Sequence, residues 1–188
     1  MVDAANKRNV IMDDLVKQAM AKWPNVPDCY GWLGLDARGN WYMRDDRAQA
    51  CGAFGSGQPG AKGSILKHEK LIDFIQRNYM QDTAGRWFFQ NGPQRVFVEL
   101  EATPWVWRVA ADRAITAHSG EVTEFRSCYC DENGWAYLET AMGLGLVHTQ
   151  DVIHVADAME QGVWSVTDFS SADLERLGCY VKSPQAAN

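Results

Sequence analysis

A chain of 188 residues with 46% hydrophobic and 22% charged side chains is sized for one globular core or two small lobes. Its net charge of −6 is unevenly spread: 16 Lys/Arg meet 15 Asp/Glu in residues 1–126, and 2 meet 9 in residues 127–188. There is no basic cluster to follow a phosphate backbone, no apolar run near the roughly 18 residues of a bilayer span, and no apolar h-region at the acid-bearing N-terminus, which argues against nucleic acid, membrane and export and for a cytoplasmic protein.

The first predicted element is a helix over residues 11–23. Ile11, Met12, Leu15, Val16, Ala19, Met20 and Trp23 recur at one-sided helical spacing, Asn9 stands as the cap, and Pro24 follows the end. "CYGWLGLDARGNWYMR" reads as a hairpin, 29–35 and 40–44, around a Gly-bearing turn. Residues 45–63 read as a mobile loop. A second helix is predicted over 65–80, with Leu71, Ile72, Ile75 and Tyr79 inward. An antiparallel β-meander follows over about 86–118, then strands near 123–130, 135–139 and 144–148. Thr149 is placed to cap a helix over 150–160 that buries Val152, Ile153, Ala156 and Met159. "SSADLERLG" is a last short helix with Ser170 as cap and Gly178 as stop, and the tail "SPQAAN" reads as frayed. The class is α+β: an antiparallel meander with further hairpins, packed with three to four helices. The chain is expected to form a single compact domain, with 1–62 and 63–188 as candidate sublobes.

The meander carries the finest detail. Asn91-Gly92 suits a two-residue type I′ loop, which sets Trp87 opposite Val96. A second turn at "EATP" pairs Leu100 with Trp105 and Val98 with Trp107. Trp87, Val96, Val98, Leu100, Trp105, Trp107 and Val109 then share a core face. Arg86, Phe88, Arg95, Phe97, Glu99, Val106 and Arg108 share the other.

One phrase recurs three times: Asp36…Gly39-Asn-Trp41, Asp82…Gly85-Arg-Trp87 and, compressed, Asp131…Gly134-Trp135. An Asp side chain can accept from backbone N–H groups further along the turn, and Gly supplies the positive φ. A duplicated strand unit and a widely used turn grammar both account for it.

"GRWFFQNGPQRVFVELEATPWVWRV" resembles the middle of the proteobacterial family of unknown function numbered 1285. "DARGNWYMR" followed by "KHEKLIDFIQRNY" matches that family's order of hairpin then helix, and the resemblance spans about residues 30–126. It implies membership of a closer, equally uncharacterised family, and it brings no activity, cofactor or catalytic residue with it.

Motifs for chemistry are few. "GSGQPGAKGS" has Gly55 and Gly60 at phosphate-loop spacing, but Ala61 and Gly63 break the Lys-Ser ending and no buried strand precedes it; an anion at Ser64 and the following helix start is the residual reading. Five cysteines, an odd number, read as reduced thiols, with Cys128 and Cys130 as core residues and no metal. No cofactor is expected. No local signature of nucleophilic catalysis is present; Glu99 and Glu101, a carboxylate pair at i, i+2, could serve acid–base work but read as solvated, and of His148 and His154 one reads as a cap or surface residue. The second meander face is the candidate binding surface. Arg95, Phe97, Glu99 and Arg108 combine planar guanidinium forks, which suit carboxylate or phosphate, with rings that exclude water. The expected function is a non-catalytic module for a small molecule or protein partner; the alternative is an enzyme whose acids and histidines converge in space.

Overall fold

The structure, a computed structural model, describes residues 12–186. Its strands are β1 (Cys29–Leu35), β2 (Trp41–Met43), β3 (Ser64–Ile65), β4 (Tyr79–Gln81), β5 (Trp87–Asn91), β6 (Gln94–Leu100), β7 (Trp105–Val109), β8 (Ile115–Ala117), β9 (Val122–Thr123), β10 (Phe125–Asp131), β11 (Ala136–Thr140), β12 (Gly143–Val147) and β13 (Val166–Phe169). Its helices are α1 (Asp14–Lys22), α2 (Asp46–Ala50), α3 (Glu69–Arg77), α4 (Val152–Glu160) and α5 (Leu174–Gly178). The α+β class holds. No helix among the described residues is long and apolar enough to cross a membrane.

The strands form two sheets, ordered β3-β2-β1-β6-β5-β4 and β13-β10-β11-β12-β7-β8-β9. Each sheet is built from two antiparallel three-stranded units. The first strand of the leading unit pairs in parallel with the last strand of the following one: β1 with β6, and β7 with β12. The second sheet thus repeats the topology of the first and adds β13 beside β10.

The first and second strands of every unit are joined by the same turn. Residues 36–40, 82–86, 110–114 and 131–135 each close with two backbone bonds, first residue N–H to fifth carbonyl and fourth N–H to first carbonyl. This is a three-residue loop whose last residue is left-handed. Gly39, Gly85 and Gly134 have φ of 84°, 82° and 79°, as the repeated phrase predicts. Each Asp locks its turn through Oδ1, which accepts from the residues two and four further on at 2.8–2.9 Å. The third unit builds the turn without the phrase: Ala110 leads, and Arg113 takes the positive φ of 70°. The turn also recurs at 117–121, between β8 and β9.

The predicted core face is confirmed. Trp87, Val98, Leu100, Trp105, Trp107 and Val109 are buried, and Val96 packs partly buried against them. One cluster joins side chains of both sheets, with Trp105 against Trp87 at 5.3 Å and against Tyr79 at 5.7 Å.

The connection between β6 and β7 corrects the predicted meander. The hairpins β5–β6 and β7–β8 are antiparallel, but Leu100 does not pair with Trp105: the chain crosses from one sheet to the other at 101–104. That crossing is held from several sides. Thr103 Oγ1 accepts the Leu146 N–H at 2.9 Å, Tyr79 donates to the Pro104 carbonyl at 3.2 Å, and Tyr180 donates to the Ala102 carbonyl at 2.6 Å. The β5–β6 loop is Gly92-Pro93, with Asn91 opposite Gln94, so Phe88 faces Phe97 instead of Arg95. Moving the loop by one residue shifts cross-strand partners by two, and the sorting of faces survives.

Other boundaries differ for local reasons. The predicted helix 65–80 is trimmed to α3 because Ser64 and Ile65 pair as β3 and Tyr79 starts β4; His68, through its side chain, caps it. No helix starts at Ser64 to hold an anion there. The 45–63 segment is packed, with α2 capped by Asp45 and with Phe54 and Ala61 in the interior. Phe54 lies on Gly34, where any Cβ would meet its ring at 2.4 Å. His148, in place of Thr149, caps the short 3-10 turn before α4. That helix buries Val155 and Ala158, leaving Ile153 60% exposed, because Asp151 at its start is anchored to β7 and sets its rotation. Cys179, φ 51°, and not Gly178, is the left-handed stop of α5. In α1 only Val16 is buried and Leu15 is 78% exposed; the predicted cap Asn9 and Ile11 lie outside the described residues. The tail is tied down as far as Ser183: Val181 bridges Arg86, the Lys182 carbonyl accepts the Leu100 N–H, and the Ser183 hydroxyl donates to Glu99.

Candidate functional site

The outer face of the first sheet is where three predicted site residues meet. On β6, Phe97 stacks on Tyr30 of β1, ring centroids 4.7 Å apart and nearly parallel. Arg95 lies over Phe97 and Phe88, and Arg86 lies over Phe97 at 4.7 Å. The mixed character of this face has a direct cause: its arginine forks are already filled. Arg95 holds Asp28 through two bonds of 2.9 and 2.6 Å, and Arg86 holds Asp82 at 2.8 Å. Arg108 is on the second sheet, away from this group, where it grips Asp151. Arg95, Phe97 and Glu99 are therefore brought together and Arg108 is not.

Glu99 differs from its neighbours on the strand. It is 5% exposed and has no ion pair among the described residues. One carboxylate oxygen accepts from Ser183 at 2.7 Å. Burial pushes its pKa above the ordinary value, against the opposing pull of the Ser183 hydroxyl and the positive charge of Arg44.

Arg44, at the end of β2, is the residue that sequence reasoning missed. It is 3% exposed. Its guanidinium donates to three backbone carbonyls: Ala61 at 2.8 Å, Gly31 at 3.2 Å and Gly52 at 2.6 Å. It thereby pins the 45–63 segment to β1. "YMRDDRAQ" gives no local sign of this, since the acceptors come from three separate places. Two of its five N–H groups have no partner among the described residues.

Arg44 and Glu99 both line one cleft of about 240 Å³, with Tyr30, Gln49, Gly52 and Ser183 around it. β1 and β6 give its floor, the 45–63 segment one wall and the C-terminal segment the other. The two opposite charges do not touch. Gly31, φ 82°, keeps the floor open, since a Cβ there would meet the Gln49 Oε1 at 2.6 Å. The arrangement suits recognition of a small polar molecule, with a cationic and an acidic side chain both lining the one cleft.

Several other titratable residues have structural partners. Glu101 takes the Ala37 N–H at 2.8 Å and pairs with Lys62. His68 and His148 cap helical turns, and His118 accepts the Val106 N–H. Cys128 is in the core, its thiol pushed up to about 11 by burial. Cys130 borders an open groove with Asp131 and Asp168; burial and then those carboxylates raise its thiol, away from a reactive thiolate.

No curated protein matches the chain. Among solved structures it is similar to the crystal structure of a DUF1285 family protein from Silicibacter pomeroyi DSS-3, with 13% identity, 77% of this chain and 84% of that chain covered, and a TM-score of 0.46. The model of the family DUF2944, described as "Protein of unknown function (DUF2946)", matches residues 12–185, and the chain belongs to that family.

Proposed function

We propose that this protein is a non-catalytic binding module that takes a small polar molecule in the Arg44–Glu99 cleft. One observation carries the reading: two oppositely charged side chains, both almost fully buried, face one cleft without forming an ion pair. A buried charge without an ion-pair partner is costly, so a fold that holds two of them unpaired at one cleft has a use for the arrangement. The rest of the outer face supports the cleft without competing for its ligand, because Arg86 and Arg95 are satisfied by Asp82 and Asp28. Free cysteines fit a cytoplasmic setting.

The test is a thermal-shift screen of small polar metabolites on the wild type and on Glu99→Gln. Bound ligand raises stability by RT ln(1 + [L]/Kd). At least one compound is expected to raise the wild-type melting temperature and to leave the variant unmoved. If every stabilising compound shifts both proteins equally, the cleft is not the binding site.

A further inference from the structure

We infer that the cleft recognises a small zwitterion, an α-amino acid with a short side chain, its carboxylate on Arg44 and its ammonium on Glu99. This rests on the cleft being a binding site and adds the chemical class of its occupant.

The donor and acceptor inventory drives the assignment. Arg44 spends three N–H groups on the Ala61, Gly31 and Gly52 carbonyls, which fixes the plane of the guanidinium. The two left over match a planar carboxylate. Glu99 spends one oxygen on Ser183, and its other oxygen has no hydrogen-bond partner among the described residues. An ammonium, with three donors and no acceptor, suits that oxygen.

Charge selects against simpler ligands. A lone anion on Arg44 would face the Glu99 carboxylate, and a lone cation on Glu99 would face the Arg44 guanidinium. Each meets a like charge in a desolvated site, which is how binding sites reject wrong partners. A zwitterion satisfies both ends and adds no net charge to the interior. Size narrows the choice further. A space of about 240 Å³ corresponds to about eight waters at roughly 30 Å³ each, which a small amino acid fills. The Tyr30 ring and Ala53 offer a small apolar wall, and the Gln49 and Gln185 amides offer polar contacts.

Isothermal titration calorimetry at pH 7 tests this with glycine, L-alanine and L-serine as probes, against acetate and methylammonium, which keep one charge each, and glycinamide, which lacks the carboxylate. The wild type is expected to bind at least one of the three amino acids, with each analogue at least tenfold weaker. Glu99→Gln and Arg44→Lys are each expected to weaken that binding at least tenfold. Arg44 holds three carbonyls, so Arg44→Lys is judged only if it melts cooperatively; Glu99→Gln carries the test otherwise. Three outcomes overturn the zwitterion: acetate, methylammonium or glycinamide binding as tightly as the amino acids; amino-acid binding untouched in Glu99→Gln; or no binding of any amino acid at millimolar concentration. A compound of different chemistry that stabilises the wild type but not Glu99→Gln overturns the zwitterion and leaves the binding module standing.

Discussion

His118, directly after β8, is enclosed by Trp41, Tyr79 and Trp105 at ring distances of 5.7–6.4 Å. Its Nδ1 accepts the Val106 N–H at 3.3 Å, so the ring is needed in its neutral form. Burial pushes its pKa from 6.5 down to about 4, with a small opposing pull from Asp36. A group whose folded pKa is depressed contributes stability that is present above its unfolded value and lost as pH falls toward the folded one. His118 therefore makes the fold acid-sensitive between pH 6.5 and 4, by about 3 kcal/mol at 1.36 kcal/mol per unit. His118→Leu is expected to be about 1–3 kcal/mol less stable at pH 7, with the Val106 N–H orphaned, and to lose less stability than the wild type on acidification. Urea denaturation at pH 7, 6, 5 and 4 checks this. Glu99 has the opposite sign: its raised pKa makes stability greatest below the unfolded value and lost as pH rises through the folded one. Glu99→Gln is expected to be at least as stable as the wild type at pH 7, with its advantage vanishing in acid. Neither role is legible in the sequence, where His118 and Glu99 are single letters; the groups that surround them come from distant parts of the chain.

At the scale of the turn, the repeated phrase was legible because it is a local device. Asp accepts two N–H groups within four residues and Gly supplies a positive φ, and both facts depend on short-range geometry alone. What the phrase could not disclose is how differently its three glycines are enclosed. A Cβ on Gly134 meets nothing within reach, whereas one on Gly85 meets the Cys179 carbonyl at 2.8 Å. Gly134→Ala is expected to cost about 1–2 kcal/mol, the left-handed penalty alone; Gly85→Ala should cost clearly more, since backbone must move. Asp131 accepts from Asn133 and Trp135 and, in the interior, from the Tyr137 hydroxyl at 3.0 Å. Asp131→Ala should cost about 2–4 kcal/mol, as charged hydrogen bonds are lost, and Asp131→Asn distinctly less. Chemical denaturation of the four variants orders them. The helix boundaries were less legible for a related reason: α4 is turned by Asp151 holding Arg108 and the Val109 N–H, a contact that helical periodicity cannot register.

Across the whole molecule, the alternation of Trp87, Val98, Leu100, Trp105, Trp107 and Val109 was readable because a strand's two faces alternate whatever sheet it joins. For the same reason it could not show that β6 and β7 belong to different sheets. Their neighbours, β1 and β12, are parallel partners far along the chain, and no turn announces them. For the same reason the sequence did not disclose that Arg95 is paired with Asp28 and Arg108, on the other sheet, with Asp151. Trp105 spans the two sheets' shared core, so Trp105→Ala is expected to cost about 3–5 kcal/mol. Far-UV dichroism and tryptophan fluorescence should still report one coincident unfolding transition, as a common core requires. The most direct test of the central claim, that Glu99 is a desolvated carboxyl held at the cleft, is an NMR titration of its side-chain carboxyl carbon in the wild type and in Ser183→Ala. The account predicts a pKa above that of solvated glutamates in the wild type, and higher still when the Ser183 hydroxyl is removed; a value at or below about 4.3, the solvated reference, unmoved by Ser183→Ala, would contradict it.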